Sequence, residues 1–151
     1  MGRKRSRSWK YIYFCVAGLI SLFLAGCVIS EKIKKIQEHK EASEYLLRAK
    51  ELLAQGDYEG SLKENQKVLS LGDNKPPADE ALFNIGLIYS HYGYRKKDYK
   101  KSLNFYKRLV RDSPRSPLVE QAKIWIGVLE VIEKTKQVDI EIEEKKKKLS
   151  R

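Results

Sequence analysis

Cys27 is the side chain whose setting offers covalent chemistry. Its thiolate would be the best nucleophile among ordinary side chains. It follows Leu24, Ala25 and Gly26 at the end of a stretch that is almost wholly apolar from residue 11 onward. Arg3, Lys4, Arg5, Arg7 and Lys10 precede that stretch, and no acidic residue occurs before Glu31. Basic residues stay on the cytoplasmic side of a membrane, so this order of charge, apolar run and small residues predicts a secretory signal cut at the small pair. The remaining reactive groups are scattered. His39 and His91 are the only imidazoles. His39 stands alone, whereas a metal site needs three or four ligands. There is no HExxH, CxxC, phosphate-binding glycine loop or GxSxG. The acids lie among lysines on helical faces, where they form exposed pairs. The expectation is a non-enzyme, with no catalytic, cofactor-binding or metal-binding residues.

The four residues LAGC resemble the lipobox of bacterial lipoproteins, and every position fits. The resemblance implies that the Cys27 thiol receives a diacylglycerol, that the chain is cut before it, and that the new amine is acylated. Leu24, Ala25 and Gly26 would then be the signal-peptidase recognition residues. Several acyl chains, at about 0.8 kcal/mol per buried methylene, hold a protein far more firmly than one. Val28, in place of an aspartate, resembles lipoproteins sent to the outer membrane in enteric-type bacteria. The implied location is the bacterial cell envelope, lipid-anchored, at the outer membrane facing the periplasm. Two other readings use the same residues. The run 11–30 is uncharged for 20 residues, long enough to cross a bilayer uncut as a single-pass anchor. MGRKRS also fits the loose myristoylation pattern of Gly2 with Ser6, but an export signal directly behind it makes that match accidental. The cleaved and uncleaved readings both put the C-terminal part outside the cytoplasm.

The elements that follow must fold on packing alone. Of 151 residues, 1–26 are signal, which leaves enough for one modest domain. The net charge of +11 includes five basic residues of the leader, so the mature balance is +6. Outside the cytoplasm such a charge points to acidic lipid head groups or an acidic partner, not nucleic acid. Cys15 leaves with the leader and Cys27 would be acylated, so no disulfide can form within the mature chain. Residues 27–40 read as a tether or the first turns of a helix, with Ile29, Ile33 and Ile36 at helical spacing.

The body contains an internal repeat. In the first copy Tyr45 is followed by Ala49, Leu52, a Gly56-Asp57-Tyr58 turn, then Ser61, Leu62, Val68 and Leu69. In the second, Leu82, Gly86 and Tyr89 keep the first spacing, Gly93 follows, and Asp98-Tyr99 leads to Ser102, Leu103, Leu109 and Val110. The first helices are offset by 37 residues and the second by 41, the difference being an insertion at 94–97. Apolar residues recur at three and four along both halves, and a glycine at each turn would accept a left-handed conformation. Each copy therefore predicts a helical hairpin, with Ala49, Gly86, Ser61 and Ser102 letting helices approach and Tyr58 and Tyr99 filling the space beside them.

This pattern resembles the tetratricopeptide repeat, whose period is about 34 residues. Pro114 stands where that family usually has a proline, and the first copy has Asp73 near that point. A third unit starts at Ser116, with Leu118, Ala122, Trp125, Ile126 and the stretch 128–132 apolar and Gly127 read as its small residue. The long linkers resemble those of tetratricopeptide lipoproteins and periplasmic proteins of the BamD and CpoB kind, involved in outer-membrane assembly and Tol-Pal function. The expected fold is all-α. Residues 41–132 form tetratricopeptide-like antiparallel hairpins stacked as a short solenoid, two repeats and a half-repeat capping helix. Residues 133–151 form a charged helical or coiled-coil tail. There Val128, Val131, Thr135, Val138, Ile142 and Leu149 mark a seven-residue seam interrupted at Lys145. A fraying, solvated end from Glu143 onward is the other reading.

In the family the first helix of each unit lines a concave groove. On this register the resemblance implies a partner groove of Leu46, Lys50, Leu53, Phe83, Leu87, Ile124 and Val128, with Ser43, Glu80, Ser90, Gln121 and Val131 on the same faces. Apolar residues on an open face are costly at about 25 cal/mol per Å². Either the C-terminal helix or a partner helix or peptide would cover them. The implied function is a membrane-anchored, non-catalytic adaptor for other envelope proteins, with no cofactor, nucleic acid or small-molecule substrate. The alternatives are an accessory subunit of an envelope sensor or cell-wall enzyme acting through its C-terminal helix, and, with no residue favouring it, an enzyme or an enzyme's specificity subunit.

Overall fold

A computed structural model describes the backbone of residues 5–72 and 76–150, and the side chains in those spans apart from residues 5–13 and 15–30. Among the described residues there are five α-helices and no strand: α1 (Arg5–Ala54), α2 (Tyr58–Leu71), α3 (Ala78–Ser90), α4 (Tyr99–Asp112) and α5 (Val119–Leu149). The chain divides into two units, Met1–Glu38 and His39–Arg151, and α1 contributes to both.

In the first unit the sequence 31–38 alternates opposite charges at helical spacing. Lys35 pairs with Glu31 at 2.9 Å and Lys34 with Glu38 at 3.7 Å. The Lys35 ammonium, hydrogen-bonded to it, holds the Glu31 carboxyl below its usual range. Ile33 and Ile36 are exposed. The stretch read as a tether or helix is helical through 27–40. Among the described residues no helix is long and apolar enough to cross a membrane. The side chains of Leu24, Ala25, Gly26 and Cys27, and of the uncharged run apart from Phe14, lie outside the described residues, as do Gly2, the side chain of Ser6, and Asp73.

In the second unit the repeat becomes two hairpins with matching joints. Gly56, at φ 78°, ends α1 in the left-handed region open to glycine. The Asp57 carboxylate then accepts the Gly60 N–H at 2.9 Å and starts α2. Forty-one residues on, the Asp98 carboxylate accepts the Lys101 N–H at 3.0 Å and starts α4. The second turn departs from expectation. Gly93 has no left-handed φ, and it is small for a different reason: a Cβ there would lie 2.8 Å from the Tyr58 hydroxyl oxygen.

A buried hydroxyl fastens each hairpin at the same place. Ser61 Oγ donates to the Ala49 carbonyl at 2.8 Å, and Ser102 Oγ donates to the Gly86 carbonyl at 2.7 Å. These are the four small residues of the sequence repeat. Each such bond contributes about 1 kcal/mol net. Replacing Ser61 or Ser102 with Ala should therefore lower unfolding free energy by that amount in urea titration. An unchanged midpoint for both would show that the hydroxyls contribute only their size.

Beside these joints the two copies exchange volume. Ala49 in the first copy corresponds to Gly86, and Asn65 to Tyr106, at the same offsets of 37 and 41. A Cβ at Gly86 would lie 2.7 Å from the Tyr106 ring. The larger side chain on the second helix thus requires the smaller residue on the first. Tyr106 is fully buried, edge-on to Phe83 at 5.4 Å and stacked parallel to Trp125 at 6.3 Å. Asn65 fills the equivalent space in the first hairpin and donates to the Ser61 carbonyl at 2.9 Å.

The core runs through the hairpins and onto α5. Ala42, Leu46, Val68 and Ala81 close one end, and Leu62, Ile85, Ile88 and Tyr94 lie at the turns. Leu82, Phe83, Leu103, Tyr106, Leu109, Val119, Ala122 and Leu129 join α3, α4 and α5. The small residue of the third unit is Ala122, fully buried, and not Gly127, which is exposed with nothing within 4 Å of a Cβ placed there. The half-repeat and the tail are one helix to Leu149, and the solvated reading from Glu143 holds for the side chains only.

Candidate functional site

The residues expected to line one groove divide into three environments. Leu46 and Phe83 are each only 7% exposed and belong to the core. Leu46 meets Val68 and Ala81, while Phe83 lies among Tyr106, Val119, Ala122 and Leu129. Leu53 and Leu87 are half-buried against the same core. Lys50 is exposed and ion-paired with Glu80 of α3, both on the expected groove face. Ile124 and Val128 are exposed on α5. An open groove containing Leu46 and Phe83 is therefore not present in the described chain. Helix periodicity identifies an apolar face, and α5 covers part of it.

The insertion at 94–97 builds a second feature, for which the sequence reading assigned no role. Tyr94 turns back over the first hairpin, 6% exposed, with its ring 5.6 Å from Tyr58 and 6.0 Å from Tyr89. Its hydroxyl donates to Glu59 Oε1 at 3.0 Å, and Lys96 Nζ reaches the same oxygen at 2.6 Å. Tyr58 and His91 join across the two hairpin turns at 2.9 Å, and His91 Nδ1 also accepts the Gly93 N–H at 3.1 Å. An aromatic opening an insertion was the available signal. What it would touch was invisible without the turn of the other copy.

Beside the insertion lies a cavity of about 460 Å³, lined by Glu59, Leu62, Lys63 and Gln66 of α2, Tyr89 of α3, Tyr94, Lys96 and Lys101. Lys101 Nζ sits 5.3 Å from the centre of the Tyr89 ring. Three lysines surround an aromatic floor, and the carboxylate among its lining residues, Glu59, is held by Lys96 and Tyr94. That charge balance suits an acidic side chain more than a cation. Among the described residues no group of three or more His, Cys, Asp or Glu is placed to hold a metal ion.

The protonation states of this cluster follow from its contacts. Hydrogen bonds from Lys96 and Tyr94 hold the Glu59 carboxyl below its usual range. Burial, then the hydrogen bond to Glu59, pushes the Tyr94 phenol up to about 12. A raised folded value means that the docked phenol stabilises fully below its ordinary 10 and loses that contribution as pH climbs toward 12. For Glu59 the sign is opposite: its contribution is present above its ordinary 4.5 and disappears as pH falls through the lowered folded value. Ultraviolet titration of tyrosinate should show late steps from Tyr94 and from the buried Tyr106, and Tyr94→Phe should remove one of them. An undiminished late amplitude in that variant would place Tyr94 in solvent.

The exposed side of α5 is the third feature. Val119, Ala122 and Leu129 are buried, and Trp125 and Ile126 are partly buried against the same core. On the opposite side of the helix Ile124, Val128, Val131, Thr135, Val138, Ile142 and Leu149 are all exposed. From residue 134 onward every described side chain is exposed. The seven-residue spacing had marked this seam from Val128, and Ile124 extends it by one position. No family model matches the chain, and no curated protein or solved structure matches it either.

Proposed function

We propose that this chain is a lipid-anchored protein of the bacterial cell envelope, and that it works as a non-catalytic adaptor built on tetratricopeptide-like hairpins. The observation that carries the reading is the tetrad Leu24-Ala25-Gly26-Cys27 placed ahead of a repeat-built helical unit. Such an order fits a chain whose work is to hold another protein near a membrane. The matching serine-to-carbonyl joints of the two hairpins support a solenoid-like repeat. Binding through the projecting part of α5 is favoured over binding through a groove, because Leu46 and Phe83 are core residues while every described side chain from residue 134 onward is exposed.

Mass spectrometry of the mature N-terminus tests the anchor. The expected species begins at Cys27 and carries diacylglycerol on sulfur and an acyl group on nitrogen, and Cys27→Ser abolishes the modification and leaves the leader attached. An intact Met1 with an unmodified Cys27 overturns the anchor and favours the uncut membrane span. Affinity capture from detergent-solubilised envelope, with and without residues beyond Lys134, tests the adaptor. Loss of captured envelope proteins on truncation supports binding through α5, and undiminished capture returns the role to the hairpins.

A further inference from the structure

The outer face of α5 repeats every seven residues over more than three heptads. Ile124, Val131 and Val138 alternate with Val128, Thr135, Ile142 and Leu149, at spacings of four and three. At a core position Thr135 would bring a polar atom, but its hydroxyl donates to the Val131 carbonyl at 3.0 Å in its own helix and leaves the methyl for packing. Lys145 interrupts the seam near its end, where its long stem can carry the ammonium out to water. Up to Leu129 the opposite face of the helix packs against α3 and α4, and the seam residues themselves are exposed from Ile124 to Leu149.

The charges beside the seam indicate what covers it. In two helices running the same way in register, the residue before one core position faces the residue five further along the other chain. Lys134 would then meet Asp139 of a second copy, and Glu141 would meet Lys146. Both pairs are opposite in sign, and each occurs twice in a pair of chains. Among the described residues none of these four side chains has an ion-pair partner within its own chain. The seam residues from 134 on also project where nothing in the unit buries them. A helix of about 16 residues is marginal alone in water, so an unpartnered projection of this length gains from association.

We propose that α5 is a self-association helix, joining copies of this chain as a parallel, in-register coiled coil through the seam that runs from Ile124 to Leu149. Branched residues at both kinds of core position admit a third strand as readily as a second. The inference is independent of the lipid anchor, since it rests on α5 alone.

The test uses the full-length chain in non-denaturing detergent, with Cys15→Ser and Cys27→Ser to remove native thiols. Light scattering should give a mass of two or three chains. Ile142→Cys should cross-link to itself on mild oxidation. Lys134→Glu places like charges against Asp139 and should raise the dissociation constant about tenfold. Adding Asp139→Lys should restore it. A single-chain mass at all concentrations overturns the proposal. So does cross-linking found only when Val131→Cys and Ile142→Cys chains are mixed, which would mean antiparallel helices. A monomer whose seam becomes protected from hydrogen exchange only with anionic vesicles overturns it in favour of a lipid surface.

Discussion

Replacing Tyr106 with Ala is expected to lower the stability of the helical unit by about 3–5 kcal/mol, the range for truncating a buried aromatic. A domain of this size has about 5–15 kcal/mol to lose, so the variant should be partly unfolded at ambient temperature by circular dichroism. The ring is fully buried between Phe83 and Trp125, so truncation leaves a cavity there. Gly86 makes the result diagnostic. With Tyr106 in place, Gly86→Ala puts a Cβ 2.7 Å from the ring and should cost about 1–3 kcal/mol of overpacking. With Tyr106→Asn the same substitution should become neutral or favourable, because the pair then copies Ala49 and Asn65, and alanine exceeds glycine in helix propensity by about 1 kcal/mol. A double-mutant cycle measures this as a coupling energy. Additivity of the two substitutions would mean that the glycine is small for some other reason.

Phe83→Ser is expected to have the next largest effect, a loss of about 3–4 kcal/mol seen as a lower urea midpoint. On the groove reading the same substitution would leave folding intact and abolish partner capture. The structure reverses that expectation, because Phe83 packs against Tyr106 and lies among the α5 residues Val119, Ala122 and Leu129. A serine there leaves a cavity and buries a hydroxyl among apolar neighbours. Leu47→Ser, at a position of α1 that is 60% exposed and away from the α5 seam, should leave the midpoint unchanged within about 0.5 kcal/mol. Equal midpoints for the two variants would return Phe83 to an open surface.

Much of the fold was legible in the residues themselves. Ala49, Gly86, Ser61 and Ser102 stood out by size and spacing, and they are the residues that fasten the hairpins. Asp57 and Asp98 marked both helix starts. The seven-residue seam of α5 was readable from Val128, because periodicity along one helix needs no knowledge of other helices. The misplaced residues share a physical cause. Whether Leu46 and Phe83 face solvent depends on which helix lies over them, and Gly127 differs from Ala122 only in which side of α5 meets α4. The exchange of Asn65 for Tyr106 beside Ala49 and Gly86 is a distance relation between helices, and spacing along the chain carries no distance. For the candidate site, the seam of α5 was visible and its covering was not. The docking of Tyr94 onto Glu59 joins residues 35 apart, a contact that spacing along one helix does not express.

That docking changes how the unit should respond to force. A row of hairpins that touch only along their helices can be pulled apart one at a time, each yielding at its own load. Here Tyr94 and Lys96, carried by the second hairpin, grip Glu59 of the first, and Tyr58 is tied to His91 across both turns. Peeling away the first hairpin must break those ties as well, which exposes the aromatic cluster that the second hairpin needs. Under tension applied at its ends, the pair is expected to give way in a single rupture, as a riveted joint does, with Tyr94 and Lys96 of the insertion as the rivet.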